Sequence, residues 1–194
     1  MKSKVLIVSN LTSAVNVLKS LLEENSCEVG AVVTDYQSAF DHANGTLYDI
    51  VVINYPVDEC DCISLAKKIS EETICGVVII VPEKKSLFIG NQVYESGVVV
   101  INKPINKMLF SQLIEVVKVA RKRYVGLSEE NEKLKLSLEE EKIVNRAKLL
   151  LMQYLAMSEE HAHRYIEKQA MDMRISRLEV AKQVLRTYSA KKGG

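Results

Sequence analysis

The chain has no long apolar run near its start. Only Val5–Val8 are continuously apolar there, far too few for a signal-peptide core or a membrane span. Cysteine is scarce: Cys27, Cys60, Cys62 and Cys75. Their spacings fit no zinc pattern, and Cys60-Asp61-Cys62 by itself does not make a metal site. These absences lead us to expect a cytoplasmic protein with reduced thiols and no membrane or metal association. No glycine-rich loop suited to phosphate is present, nor paired carboxylates at a sheet edge, nor a nucleophile with a base beside it. We therefore expect neither an enzyme nor a bound cofactor. Between about Asn106 and Met157 there is no proline and one glycine, Gly126, so nothing in that stretch forces a helix to stop.

What is present is a 194-residue chain with 47% hydrophobic residues and a net charge of +1. That suffices for one well-cored domain or two small ones. The charge is unevenly spread. Residues 1–112 carry 9 Lys or Arg against 13 Asp or Glu, residues 113–141 carry 6 against 7, and residues 142–194 carry 11 against 5. An acidic front and a basic tail suggest a polyanion partner for the tail, although a basic face can also be merely solvated.

The first segment alternates Val/Ile-rich runs with amphipathic stretches. "KVLIVS" (4–9), "CEVGAVVT" (27–34), "DIVVIN" (49–54), "GVVIIV" (76–81) and "GVVVIN" (97–102) lack polar alternation, as strands buried on both faces do. The stretches between them place apolar residues three or four apart, as helices packed on a sheet do. Five such repeats predict a flavodoxin-like (βα)5 sheet with its site at the carboxyl ends of the strands. Those ends read Ser9-Asn10, Asn54, Val81-Pro82 and Lys103-Pro104.

This segment, with "NKPI" at 102–105, resembles the receiver domain of bacterial response regulators. The resemblance implies an acidic pair for Mg²⁺ after the first strand, a phosphoacceptor Asp after the third, a hydroxyl after the fourth and a Lys before Pro after the fifth. Hard carboxylates hold the cation, and metal and Lys neutralise the transferred phosphoryl group. Here those positions are Ser9 and Asn10, Asn54, Val81 and Lys103. Only the Lys remains. An amide nitrogen is no nucleophile at neutral pH, so a degenerate pseudo-receiver is expected, with phosphorylation at another acid such as Asp58 or Asp61 as the alternative. Lys103 is free to bond Asn54 or loop carbonyls instead, and the bond before Pro104 is expected to be cis.

After residue 106 a helix keeps going. Leu113, Val117, Ala120, Tyr124, Leu127, Asn131, Leu134 and Leu138 recur in steps of four and three. This is a heptad seam with a polar Asn131 at an a-like position, and the repeat breaks at Glu141. We expect a parallel homodimeric coiled coil through Val117, Ala120, Tyr124, Leu127, Asn131, Leu134 and Leu138. The alternative is a single helix packed on its own domain.

The tail draws as three helices. The first ends near Leu155–Met157. Ser158 caps the second, with Glu159 and Glu160 in its first turn, and Ser176 with Glu179 forms a capping box for the third. "NRAKLLLM" (145–152), "MSEEHAHRYI" (157–166), "QAMDMR" (169–174) and "LEVAKQVL" (178–185) resemble an ANTAR domain, the RNA-binding module of transcription antitermination regulators. Leu149, Leu150, Met152, Leu155, Ala162, Ile166, Ala170, Met171, Val180, Ala181 and Val184 are the expected core. Arg146, Lys148, Arg164, Lys168, Arg174 and Arg177 are too many like charges to bury, and in this family such a surface meets RNA. Ala147 with Lys148 falls on a motif position. Tyr154 and Tyr165 are candidates for stacking on bases, half-buried packing being the alternative. His161 and His163, two apart on a helix, face different ways and do not share an ion.

The predicted layout is a receiver-like domain over 1–115, a coiled-coil linker over 116–141 and an ANTAR domain over 142–194. The resemblance implies an antiterminator that binds leader-transcript hairpins as a dimer, and we expect a regulatory protein partner or an oligomeric arrangement that hides the tail to restrain it. The alternatives are a phosphorylation-dependent response regulator and a DNA-binding regulator.

Overall fold

A computed structural model describes residues 2–45, 48–57 and 60–189. Asp58, named above as an alternative acceptor, lies outside the described residues. The chain divides into two compact units, Met1–Leu127 and Ser128–Gly194.

In the first unit the five apolar runs are strands: β1 (Ser3–Val8), β2 (Cys27–Val33), β3 (Ile50–Asn54), β4 (Gly76–Pro82) and β5 (Val99–Lys103). All pair in parallel, in the order β2-β1-β3-β4-β5. Helices α1 (Thr12–Glu24), α2 (Tyr36–Asn44), α3 (Cys62–Glu72) and α4 (Glu83–Val93) connect them. Successive strand residues point to opposite faces, so the unit has two cores. Leu6, Val8, Val51, Ile53, Ile79 and Val81 pack with α2, α3 and α4. Val5, Ile7, Ile50, Val52, Val78 and Ile80 pack with α1 and the start of α5 (Lys107–Leu155). This is the flavodoxin-like sheet expected from the unalternated runs.

The first unit reaches past the expected boundary at residue 115, because the sheet claims more of α5. Phe110, Ile114 and Val117 are buried in its second core, and Arg121 Nη1 lies 2.8 Å from Asp49 Oδ1. Val117 is therefore a core residue and not a coiled-coil seam residue: its side chain faces its own sheet. It also explains Gly76. A Cβ at Gly76 would run into Val117 Cγ1. Gly76→Ala is expected to cost about 1–3 kcal/mol through overpacking, read as a lower urea midpoint for the first unit. An unchanged midpoint would show that α5 yields freely at Val117.

In the second unit the later part of α5 packs with α6 (Glu159–Met173) and α7 (Arg177–Ser189). The predicted caps form. The Ser158 side chain accepts from the His161 N–H (3.2 Å). Glu179 Oε2 accepts from the Ser176 N–H (2.9 Å), and Ser176 Oγ accepts from the Glu179 N–H (3.2 Å). Donation from the Ser176 N–H and from its hydroxyl (3.1 Å) holds the Glu179 carboxyl below its ordinary value.

On α6 and α7 the core is the expected one apart from Met171, and Leu150 and Met152 pack against it, but on α5 its centre differs in phase. Ala147, Leu151, Ala162, Ile166, Ala170, Val180, Ala181 and Val184 are buried. Leu149 and Met171 are 62% and 80% exposed, and Leu155 is exposed as well. Leu149–Met152 are four consecutive apolar residues, so spacing alone does not say which of them faces inward. Ala147, Ala162 and Ala181 decide it: small side chains let three helices approach closely, and the phase follows from them.

Candidate functional site

Two places carry chemistry, one in each unit. At the carboxyl edge of the sheet, Ser9 and Asn54 are each 2% exposed and are the buried polar residues of the described chain. Asn54 Nδ2 donates to Ser9 Oγ (3.0 Å), and the Leu11 N–H donates to the same oxygen (3.2 Å). Lys103 Nζ donates to the Tyr55 carbonyl oxygen (2.7 Å), a loop carbonyl and not the Asn54 side chain. Burial pushes the Lys103 ammonium below its ordinary value. Val81 lies wholly within the α2–α4 core, so it presents nothing to the loops, while Asn10 is exposed. Both Tyr55–Pro56 and Lys103–Pro104 are cis, the second as expected.

The strand ends thus bring Ser9, Asn54 and Lys103 into one neighbourhood and, among the described residues, supply no carboxylate there. Asp61, the other alternative acceptor, caps α3. Its carboxylate accepts from the Ser64 N–H (3.1 Å) and hydroxyl (2.7 Å), which hold it below its ordinary value. Nearby, burial and the neighbouring Cys62 push the Cys60 thiol up to about 12, so it stays protonated at neutral pH. Among the described residues no group of three His, Cys, Asp or Glu is arranged to hold a metal, and no helix is long and apolar enough to cross a membrane.

In the second unit the predicted basic residues separate into classes. Ala147 is fully buried between helices; it packs and does not reach a ligand, which corrects its reading as an RNA contact. Lys148 is largely buried and lies 3.2 Å from Glu159 Oε1. Arg164 and Arg177 are exposed and paired with Glu160 (2.7 Å) and Glu167 (3.7 Å). His163 also meets Glu167 (3.2 Å), whereas His161 is exposed. Arg146, Lys168 and Arg174 are exposed and make no ion pair among the described residues. Arg174 has a structural duty as well: at φ 54° it is the left-handed C-cap of α6.

The two candidate tyrosines differ. Tyr154 stacks on Tyr188, with centroids 5.3 Å apart and planes at 26°, so one of its faces is already used in packing. Tyr165 stands at the flank of α6, 37% exposed, beside the face that buries Ala162, Ile166 and Ala170. Arg164 precedes it and Lys168 follows one turn later, both exposed. Two cations beside an accessible ring can hold phosphates while a base lies on the ring. The seam residues Ala120, Tyr124 and Leu127 in the first unit, and Asn131, Leu134 and Leu138 in the second, are exposed. Leu136, which the heptad reading omitted, is exposed too.

Residues 132–185 match the ANTAR domain family. No curated protein matches the chain. Among solved structures, the chain is similar to a CheY-like response regulator receiver domain protein from Methanospirillum hungatei, at 16% identity and a TM-score of 0.56, covering 64% of this chain and 99% of that one. It is similar to the signal receiver domain of an HD domain-containing protein from Pseudomonas fluorescens, at 12% identity and 0.57, covering 64% and 93%. It is also similar to a two-component response regulator from Clostridium difficile, at 21% identity and 0.50, covering 60% and 95%. These likenesses show the receiver fold of the first unit; the family match shows the ANTAR domain in the second.

Proposed function

We propose that this chain, a receiver fold followed by an ANTAR domain, is an RNA-binding antitermination regulator. It acts on leader-transcript hairpins, and phosphorylation is not its switch. The observation that carries the reading is the exposed side of α6, where Arg164 and Lys168 face outward with the partly exposed Tyr165 at their flank, inside the matched domain. It acts as a homodimer, a reading supported by the exposed heptad residues Tyr124, Leu127, Leu134 and Leu138: so polar a helix leaves its thin apolar stripe in water unless a second copy covers it. Two linked modules then gain avidity when their spacing matches that of paired hairpins. A regulatory protein partner restrains the chain, since the strand ends offer no carboxylate to receive a phosphoryl group. In this reading the receiver-like domain extends along α5 past residue 115, a coiled-coil linker follows it up to residue 141, and the ANTAR domain covers 142–194.

The test is anisotropy titration of the full chain with a paired-hairpin leader RNA and with duplex DNA over a salt series. Tight RNA binding that weakens as salt rises is expected, because phosphate contacts release counterions. Preference for duplex DNA would favour a DNA-binding regulator and overturn the proposal.

Incubation with acetyl phosphate and Mg²⁺ is expected to leave the intact mass, the oligomeric state and the RNA affinity unchanged. A phosphoryl addition, mapped by peptide mass spectrometry to Asp61 or any other acid, would restore the phosphorylation-dependent reading.

A further inference from the structure

Helix α5 runs unbroken from Lys107 to Leu155, yet its support changes along its length. Up to Arg121 it lies on the sheet, through Phe110, Ile114, Val117 and the Arg121–Asp49 pair. From Ile143 onward it packs again, with Val144, Ala147 and Leu151 in or against the core of the second unit. Residues 126–142, between these supports, are all exposed. The pair of Lys142 with Glu139 (2.9 Å) joins two exposed side chains of that same stretch and adds little. Helices in proteins draw most of their stability from packing and little from propensity, so this stretch is the weakest part of α5.

Gly126 stands at the start of the exposed stretch and is the only glycine of α5. No neighbour requires it. A Cβ built there meets nothing within 4 Å, whereas one at Gly76 runs into Val117. Its backbone is helical and not left-handed. The seam does not need it either. With Asn131 as an a position, Tyr124 is a, Leu127 is d and Gly126 is c, and a c residue points away from a paired helix. Alanine would fit in the single chain and in the pair alike. Glycine inside a helix costs more backbone entropy than alanine. Here that cost comes with no gain in packing, and it falls where the sheet has let go of α5.

We propose that α5 opens at Gly126 in the free chain, and that residues 126–142 are stably helical only when a second copy covers Leu127, Leu134 and Leu138. The proposal rests on the homodimer reading and adds its regulation: pairing and helix formation are one event. In the single chain the three leucines are 66%, 60% and 57% exposed. In the pair they leave water and hold the helix closed. Ordering the stretch draws on the energy of association, so the pair is weaker than its seam would make it and separates readily. A restraint then has only to keep two copies apart. The spacing of the two RNA modules, on which avidity depends, exists only in the closed form.

The experiment compares the full chain with its Gly126→Ala variant, by sedimentation equilibrium for the dimer Kd and by amide hydrogen exchange read by mass spectrometry. In the parent chain diluted well below that Kd, peptides from 126–142 are expected to exchange with little protection while those over 110–117 stay protected; above the Kd both are protected. The helix advantage of alanine is felt in the dimer alone, so Gly126→Ala is expected to tighten the dimer about fivefold per chain, and about thirtyfold for the pair. If the stretch were already helical in the single chain, alanine would stabilise monomer and dimer equally and leave the Kd unmoved. A dimer whose Kd does not respond to Gly126→Ala overturns the proposal and leaves the homodimer standing. So do monomer peptides over 126–142 that are as protected as those over 110–117. A chain that stays monomeric at every concentration overturns the homodimer reading, and this proposal with it.

Discussion

Ala147→Glu is expected to unfold the second unit while leaving the first folded. Ala147 is fully buried in the core shared by the later part of α5, α6 and α7. A carboxylate there loses its water and meets Leu151, Ala162 and Ala181, none of which can bond it. Changes that both overfill a core and bury an unpaired charge cost about 4 kcal/mol or more. A three-helix unit this small has little margin against that. Far-UV circular dichroism should lose helix well below the melting temperature of the parent chain, and RNA binding should vanish with it. The neighbouring Arg146→Glu is the control. Arg146 is exposed, so that variant keeps its melting temperature and weakens RNA binding through charge alone. If Ala147→Glu melts normally yet fails to bind RNA, then Ala147 touches the ligand and its assignment to the core is wrong.

The second large effect concerns the outward face of α6. Arg164→Ala with Lys168→Ala is expected to weaken hairpin RNA binding ten- to a hundredfold. It should also flatten the log–log salt dependence by about 0.7–0.9 for each phosphate no longer neutralised. The Arg164–Glu160 pair does not protect Arg164 from use, because an exposed pair of this kind is worth about 0–1 kcal/mol and yields readily to a phosphate. Lys148→Ala should matter less for binding, since Lys148 is largely buried beside Glu159. Tyr165→Leu separates stacking from charge. It should lower affinity by about 1–3 kcal/mol, the range for one base on an aromatic ring, with the salt slope unchanged. Tyr154→Leu should instead lower the melting temperature, because Tyr154 stacks on Tyr188. A salt slope that does not change in the Arg164/Lys168 double variant would place the RNA on another face.

How much of the molecule is legible along the chain depends on the kind of signal. The sheet can be read because strands buried on both faces have to be written in Val and Ile, and breaks between such runs mark their ends. Once the strands are placed, the positions of Ser9, Asn54 and Lys103 follow, since strand ends of a parallel sheet share one edge. Caps at Ser158 and Ser176 are legible because capping depends on residues three apart and on little else.

Other features depend on packing between distant segments. The heptad steps run through Val117 without a break, yet the sheet takes that residue into its core because α5 crosses its second face. Leu149 and Leu151 look alike in a run of four apolar residues, and only the close approach of α6 and α7 at Ala162 and Ala181 turns Ala147 and Leu151 inward. The bare stretch of α5 after Gly126 has no signature along the chain: only the fold shows where packing on that helix stops and where it resumes. The sequence by itself determined the receiver-type sheet, the absence of a carboxylate at the end of its third strand and the basic helices of the tail, because each is written in residues close together along the chain. The tertiary structure alone decided which face of each helix is buried, which cations are left unpaired and where α5 runs without packing, because those are settled by which distant segments meet.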